Sequence, residues 1–519
     1  MFPEIWHRRI FLFGLISLAS GLLFGSALTS IPQIILIGNW LIESDLSKKI
    51  KILFRNKFFW ILSSLFILHV LGMAYTSDIQ SGLNDLKTKV PILVLAVIFL
   101  STKPLNKKEF VLLFQFFFLS VLVSSIWCYL VYAGLSNKKI IDIRDASVFM
   151  SHIRFSLIIS FTVIGLSYFI KSNINRLISI LTILWLLFFI YKFQMATGII
   201  LLILVGLFLL VFYLFKMKNL YVNISICIFL FGLSYLTYNK INSDLLMYNE
   251  NPSSKNNILL AQTINHNPYL QDTLFNLAEN GNLITININD YELQKEWLKR
   301  SKLPYEGNDN NGNNLRFTIL RYIASKGFTK DSLGITNLNN QDILNIENGT
   351  SNFKYSMSSG LMNKWRELVW EFVKHKRNEN PSGHTLTMRL EFWGTSLYII
   401  KQNYLFGVGT GDIGQSLTKA YIDTNSKLSK EWRLRCHNQY LAFTVAFGLF
   451  GLILFLFYIF YPIITLKHKL HFLYWPFIMI LLLSFFTEDT LESQAGVTFF
   501  ALFNTLFIWL ASSNKQLDK

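Results

Sequence analysis

Charge is scarce in this chain. Asp, Glu, Lys and Arg make up 15% of its 519 residues, against roughly 25% in an ordinary soluble domain, which excludes a charge-solvated surface over most of its length. Cysteine is scarcer still. Cys128, Cys227 and Cys436 are too few and too scattered for a disulfide framework, and none has the paired spacing of a structural zinc site. Acidic residues are also short, 31 against 48 basic ones, for a formal charge of +17. In a soluble protein that excess would suggest nucleic acid. Here the basic residues fall mostly in short segments between apolar runs, which points to a membrane and away from nucleic acid.

What the chain has in abundance is apolar sequence, 52% hydrophobic and 16% aromatic. A helix needs about 20 apolar residues to cross a bilayer. The runs that qualify are Phe58–Ser77, Phe110–Tyr132, Phe155–Ile170, Phe193–Phe215, Leu220–Asn239, Tyr440–Leu466, Phe472–Thr487 and Val497–Ser513. Leu177–Tyr191 is short, and Val90–Thr102 borrows residues from the amphipathic stretch before it. Ile10–Ile42 is too long for one span and basic at both ends, with Arg8 and Arg9 before it and Lys48, Lys49, Lys51, Arg55 and Lys57 after. Because positive residues favour the cytoplasm, it reads as a hairpin turning near Ser30 and Pro32. His7, Arg8 and Arg9 before this run resemble a signal peptide's start, but no small-residue cleavage site leads into a soluble chain, so the first span is expected to be retained.

Lys103, Lys107 and Lys108, then Lys171 and Arg176, Lys216 and Lys218, and Lys467 and Lys469 mark further cytoplasmic loops. The alternation gives an all-α polytopic membrane protein of about 12 transmembrane helices with both termini inside. It divides into N-terminal spans (1–239), an outer loop domain (240–438) and C-terminal spans (439–519). The part of the insert up to Pro381 is Asn-rich and turn-rich. Ile284–Ile288 alternates as a strand does and Asn363–Lys376 has helical spacing, so a mixed, mainly helical domain is expected.

Two local patterns have bland readings. Gly407-Val-Gly409-Thr-Gly411-Asp412 has no Lys-Ser/Thr ending and no preceding strand, so it reads as a tight turn after a helix rather than a nucleotide site. Asn308–Gly312 resembles part of a calcium loop but lacks its spacing and terminal glutamate, and reads as a solvated turn.

The candidate chemistry lies in outer-face segments. His437 and Asn438 stand at the mouth of a long apolar run behind Arg433, Arg435 and Cys436. Such a histidine suits a general base and such arginines an anionic group; the blander alternative is that His437 and Asn438 only cap the span. Arg389 opens Arg-Leu-Glu-Phe-Trp393 on an amphipathic helix that either holds lipid phosphate or simply lies at the surface. His152 and Arg154 begin another span in Ser-His-Ile-Arg-Phe-Ser156, and Lys192 is similarly placed. Glu488 and Glu492, one helical turn apart, either orient a basic residue or are solvated.

At these residues the chain resembles the O-antigen ligase family, whose shared domain also covers many O-antigen polymerases. The marks are Arg389-Leu-Glu-Phe-Trp393, Asn403-Tyr-Leu-Phe-Gly-Val-Gly-Thr-Gly-Asp412, His437-Asn-Gln-Tyr-Leu441 and Phe447-Gly-Leu-Phe-Gly451, in that order around one outer loop. Ser151–Ser156 and Leu320-Arg-Tyr-Ile-Ala-Ser-Lys-Gly327 resemble a Bacteroidetes-type branch. One departure concerns a Ser-Arg pair common in members. Met195 and Ala196 stand at the matching positions, before Thr197 and Gly198, so Lys192 or Arg154 has to supply the missing charge.

The resemblance implies a GT-C-like fold in a bacterial inner membrane with a periplasmic loop, and an inverting transfer that needs no metal or other cofactor. The implied donor is a glycan on undecaprenyl diphosphate. The implied acceptor is lipid A core for a ligase, another lipid-linked glycan for a polymerase, or a protein for an O-glycan transferase. His437 is then the expected base and Arg389 its catalytic partner, with Arg154, Arg435 and Lys192 on the diphosphate and Asn438, His152, Glu488 and Glu492 in support. A polysaccharide transporter or flippase is the alternative from another class. The absence of an internal repeat and the position of the cations at the outer boundary weigh against it.

Overall fold

The computed structural model describes residues 3–43, 45–136, 143–170, 176–216, 220–249, 257–273, 277–356, 360–376 and 380–513. The loop markers Lys171 and Lys218 lie outside the described residues. By its contacts the chain divides into two compact units, Met1–Met217 with Met388–Lys519, and Lys218–Thr387.

The first unit is a helical bundle. Its N-terminal part runs through α1 (Glu4–Gly21), α2 (Ser26–Ile42), α3 (Leu46–Arg55), α4 (Lys57–Gly72), α5 (Ile79–Ser101), α6 (Lys107–Tyr132), α7 (His152–Phe169), α8 (Arg176–Lys192) and α9 (Ala196–Lys216). The second unit holds α10 (Leu220–Asn249), α11 (Asp290–Arg300), α12 (Leu315–Ser325), α13 (Ser332–Thr336), α14 (Asn340–Glu347), α15 (Phe353–Ser356) and α16 (Gly360–Lys376). The chain then continues through α17 (Thr385–Gln402), α18 (Ile413–Asp423), α19 (Gln439–Leu466), α20 (Tyr474–Ser484) and α21 (Gln494–Ser512).

Each of the eleven apolar runs is helical, and Ile10–Ile42 supplies two helices, α1 and α2, which makes twelve. Among the described residues, seven helices are long and apolar enough to cross a membrane unaided: α4 with the turn that follows it, α6, α7, α9, α10, α19 and α21. α2 and α20 are apolar but shorter. The polar start of α5, with Asp85, Lys87 and Lys89, belongs to the same helix as Val90–Ser101.

Two boundaries differ from the sequence reading. The hairpin turns at Leu22–Gly25 rather than at Ser30 and Pro32, because Gly25 adopts φ +107°, open to a residue without a side chain, while Pro32 is buried within α2. α20 has only 11 residues, about 16 Å of helix. The chain leaves it at Phe485 and Phe486, whose carbonyls accept hydrogen bonds from Gln439 N (2.8 Å) and Asn438 Nδ2 (3.1 Å).

α21 is the axis of the bundle, buried from Gly496 to Ala511. Phe503 meets Phe117, Phe161 and Phe477 at ring distances of 4.9, 5.1 and 5.9 Å, the edge and tilted contacts that add to simple burial. Asn504 satisfies its amide with the hydroxyls of Tyr474 (3.1 Å) and Tyr458 (3.4 Å). The loop leading into this least exposed helix carries Glu488, Asp489 and Glu492.

α19 is broken at Gly448, with φ +64° and ψ −161°. The glycine-rich turn after α17 docks into the break. Val408 N and Gly409 N donate to Val445 O and Ala446 O, while Leu449 N and Phe450 N donate to Tyr404 O and Leu405 O. A Cβ on Gly407 would lie 2.4 Å from the Ala446 carbonyl, and one on Gly448 would lie 2.2 Å from Leu405 C. These glycines permit two backbones to touch, which accounts for both glycine-bearing motifs without a nucleotide.

The second unit packs Trp297, Tyr305, Ile319, Tyr322 and Ile323 into its own core. The strand expected at Ile284–Ile288 is reduced to isolated bridges from Ile288 to Leu270 and Lys330, beside a two-residue pair, β1 (Ala278–Glu279) with β2 (Asn282–Leu283). Buried Lys330 donates to Leu283 O (2.6 Å) and Ile286 O (3.0 Å), taking carbonyls that a ladder would use. In the Asn308–Gly312 turn, Asp309 is buried and accepts from Asn311 N and Asn313 N, while Asn310, Asn311 and Gly312 are exposed.

Candidate active site around His437

The site begins with how α19 starts. Asn438 caps it, its side chain accepting from Leu441 N at 3.1 Å. The capping reading of that residue is thus met in the structure. Gln439 is fully buried, donates to Glu492 Oε1 (3.0 Å) and accepts from Leu491 N (2.7 Å). Together these bonds stitch the His437-Asn-Gln segment to the loop at 485–492. His437 itself sits at φ +44°, a region sparsely used by residues other than glycine.

The His437 ring stacks on Phe392 of α17, with centroids 5.3 Å apart at 26°. Its Nδ1 is buried without a hydrogen-bond partner and lies 3.7 Å from Glu488 Oε2. One helical turn before Phe392, Arg389 places its guanidinium 3.1 Å from Glu488 Oε1 and donates from Nε to Thr487 O at 3.1 Å. One carboxylate therefore serves both groups. Arg435 donates to Glu492 O (3.0 Å) and approaches Asp489 Oδ2 at 3.4 Å. Arg154, in the first turn of α7, has a buried Nε without a hydrogen-bond partner and feels the charges of Glu488, Asp489 and Arg435.

The two adjacent acids are driven apart. Burial disfavours ionised Glu488, but the His437 ring and the Arg389 and Arg154 charges outweigh it and hold its carboxyl below the ordinary range. At Asp489, 1% exposed, burial dominates. Arg435 does not offset it, and the carboxyl is pushed above its ordinary value. Glu492 is also disfavoured by burial, yet the Lys89 ammonium at 2.9 Å and the Gln439 hydrogen bond hold its carboxyl below the usual range. Lys89 in turn lies 3.2 Å from Asp85, which lies 3.5 Å from His69 Nε2.

Of the residues singled out in sequence, Arg154, Arg389, Arg435, His437, Asn438, Glu488 and Glu492 come together. Lys192 does not join them; it is exposed and lies over the Tyr132 ring at 5.5 Å. His152 contacts Ser147 Oγ at 3.4 Å. Arg154 is thus the cation placed beside the carboxylates, while Met195 is buried at the head of α9. Sequence reasoning passed over Asp489, Lys89 and Gln439. Asp489 was adjacent to a chosen acid, whereas Lys89 lies in the polar start of α5, where a lysine stands out from nothing around it.

A His437 ring nitrogen and one oxygen each from Glu488 and Asp489 lie within 4.8 Å of one another, a donor set able to hold a cation. Arg389 and Arg435 already bring positive charge to those carboxylates, and a divalent ion would add repulsion with both. The arrangement can take up a proton at an imidazole and stabilise an anion with guanidinium groups.

Residues 333–456 match the family model described as O-antigen ligase. That match supports the O-antigen ligase and polymerase superfamily. The matched segment contains Arg389, His437, the glycine-rich turn and the break in α19. No curated protein matches the chain.

Proposed function

We propose that this membrane protein transfers a glycan from undecaprenyl diphosphate to lipid A core at the periplasmic face of the bacterial inner membrane. The observation that carries the reading is the shared carboxylate of Glu488, which holds Arg389 and stands beside the buried, unbonded Nδ1 of His437. From outside the segment that matches the O-antigen ligase model, it keeps in one fixed frame a proton acceptor and an anion-binding group that both lie inside it.

An acceptor hydroxyl oxygen attacks the anomeric carbon from the face opposite the diphosphate. The new C–O bond forms as the bond to the diphosphate breaks, the configuration inverts, and the hydroxyl proton passes to His437. The leaving diphosphate carries away the electron pair, and Arg389 with Arg154 stabilises its growing charge, Arg435 standing next in reach. Glu488 stabilises the imidazolium that forms. No step calls on a metal ion.

Deletion of the gene followed by separation of envelope glycolipids on a gel tests the reading. A ligase leaves bare core with polymer retained on its carrier; a polymerase leaves core bearing a single repeat unit; a protein acceptor leaves both unchanged. Complementation with His437→Ala is expected to lower transfer at least about a hundredfold with membrane insertion intact. Full transfer by that variant would remove the base assignment.

A further inference from the structure

Beside the His437 cluster lies a cavity of about 820 Å³, formed by the polar start of α5, the turn into α18 and the 489–492 loop. That volume falls within the roughly 300–1,000 Å³ that encloses small ligands. Its wall includes the amides of Asn84 and Gln415, the Thr418 hydroxyl and the carboxylates of Asp85, Asp489 and Glu492. These groups stand among apolar Ile413, Leu417, Ile422 and Ala442, and most of the wall's surface is apolar. The mixture suits a sugar, whose C–H faces are apolar and whose hydroxyls donate to carboxylates, groups that when ionised only accept hydrogen bonds.

Asp489 supplies the independent observation. It is 1% exposed, neither carboxylate oxygen accepts a hydrogen bond, and its contact with half-exposed Arg435 is an ion-pair approach at 3.4 Å. A buried carboxylate left so poorly satisfied lacks donors. It lines the cavity and also lies within 4.8 Å of the His437 and Glu488 ligand atoms. A hydroxyl bound to it from the cavity would therefore stand close to His437.

The cavity does not suit the donor's diphosphate. Arg389 and Arg154 are not on its wall, and its two cations, Lys419 and Arg435, face four carboxylates, the fourth being Asp78. We infer that this cavity binds the hydroxyl-rich terminal sugars of the acceptor glycan, with Asp489 accepting hydrogen bonds from the sugar at its inner end. The assignment of an acceptor, as opposed to any other saccharide, rests on the proposed transfer at His437.

The test uses full-length protein in lipid nanodiscs and, as acceptor ligand, the bare lipid A core recovered from cells that lack the gene. Thr418 is exposed and bonds to Gly414 O of its own helix, so Thr418→Arg adds bulk and charge to the wall without removing a buried contact. In transfer assays this variant is expected to raise KM for the acceptor at least tenfold, with kcat at saturating acceptor and donor KM within twofold. Equal KM values, or a rise confined to the donor, would overturn the assignment. Equilibrium binding of the same glycolipid to His437→Ala, with and without Thr418→Arg, separates the two claims. Tenfold weaker binding in the double variant supports the cavity whether or not His437 is the base. Equal binding rejects the cavity and leaves the base to be judged by its own loss of transfer.

Discussion

Glu488 and Asp489 are neighbours in sequence with opposite electrostatic fates, and stability against pH should expose the difference. Asp489 is pushed upward in the folded state, so its ionisation opposes folding. Stability falls as pH rises from the ordinary carboxyl value, about 3.9, through the raised native one. Asp489→Asn is expected to melt at least about 2 °C above the parent at pH 7, with the gain vanishing as pH falls below that window. A lower melting temperature at pH 7 would mean that the carboxylate is well satisfied. Glu488 is held down, so its contribution is present above the ordinary carboxyl range and lost as pH falls through the native value. Glu488→Gln should accordingly melt lower than the parent at pH 7 and converge with it in acid. In sequence, Glu488 and Glu492 carried two open readings, and the structure gives each a basic neighbour, Arg389 and Lys89. Lys89 itself was illegible, because a lysine in an amphipathic turn gives no sign of a partner 403 residues away.

Among the elements, the broken helix α19 sets the geometry on which the site depends. A side chain at Gly448 meets both a positive-φ, extended backbone (φ +64°, ψ −161°) used almost solely by glycine, costing about 1–3 kcal/mol, and the Leu405 backbone 2.2 Å from its Cβ. Gly448→Ala is expected to cost more than about 3 kcal/mol in total, seen as loss of the monodisperse peak in fluorescence-detected size exclusion after mild heating. An unchanged profile would mean that the turn after α17 can withdraw from the break without cost. Twelve helices were legible because hydropathy and length alone fix them. Their joints were less so. Ser30 and Pro32 have the composition of a turn, yet Gly25, with the free backbone, makes it. The short α20 was read too long because Phe485 and Phe486 are as apolar as a span while their carbonyls serve α19.

For the whole molecule, the orientation inferred from basic loops has a direct check. In a background lacking Cys128, Cys227 and Cys436, a cysteine placed at exposed Asn310 of the second unit should react with an impermeant maleimide in cells with a permeabilised outer membrane. One at exposed His468 should react only after lysis. The reverse pattern would invert the topology and with it the proposed periplasmic chemistry. The ion network also has a consequence for synthesis. Lys89 belongs to an early helix, while its partner Glu492, with Glu488 and Asp489, precedes the last one. Arg389 and His437 therefore have no carboxylates to meet until the ribosome has nearly finished the chain, and a nascent or C-terminally truncated product carries every arginine of the site yet lacks the frame that aligns them.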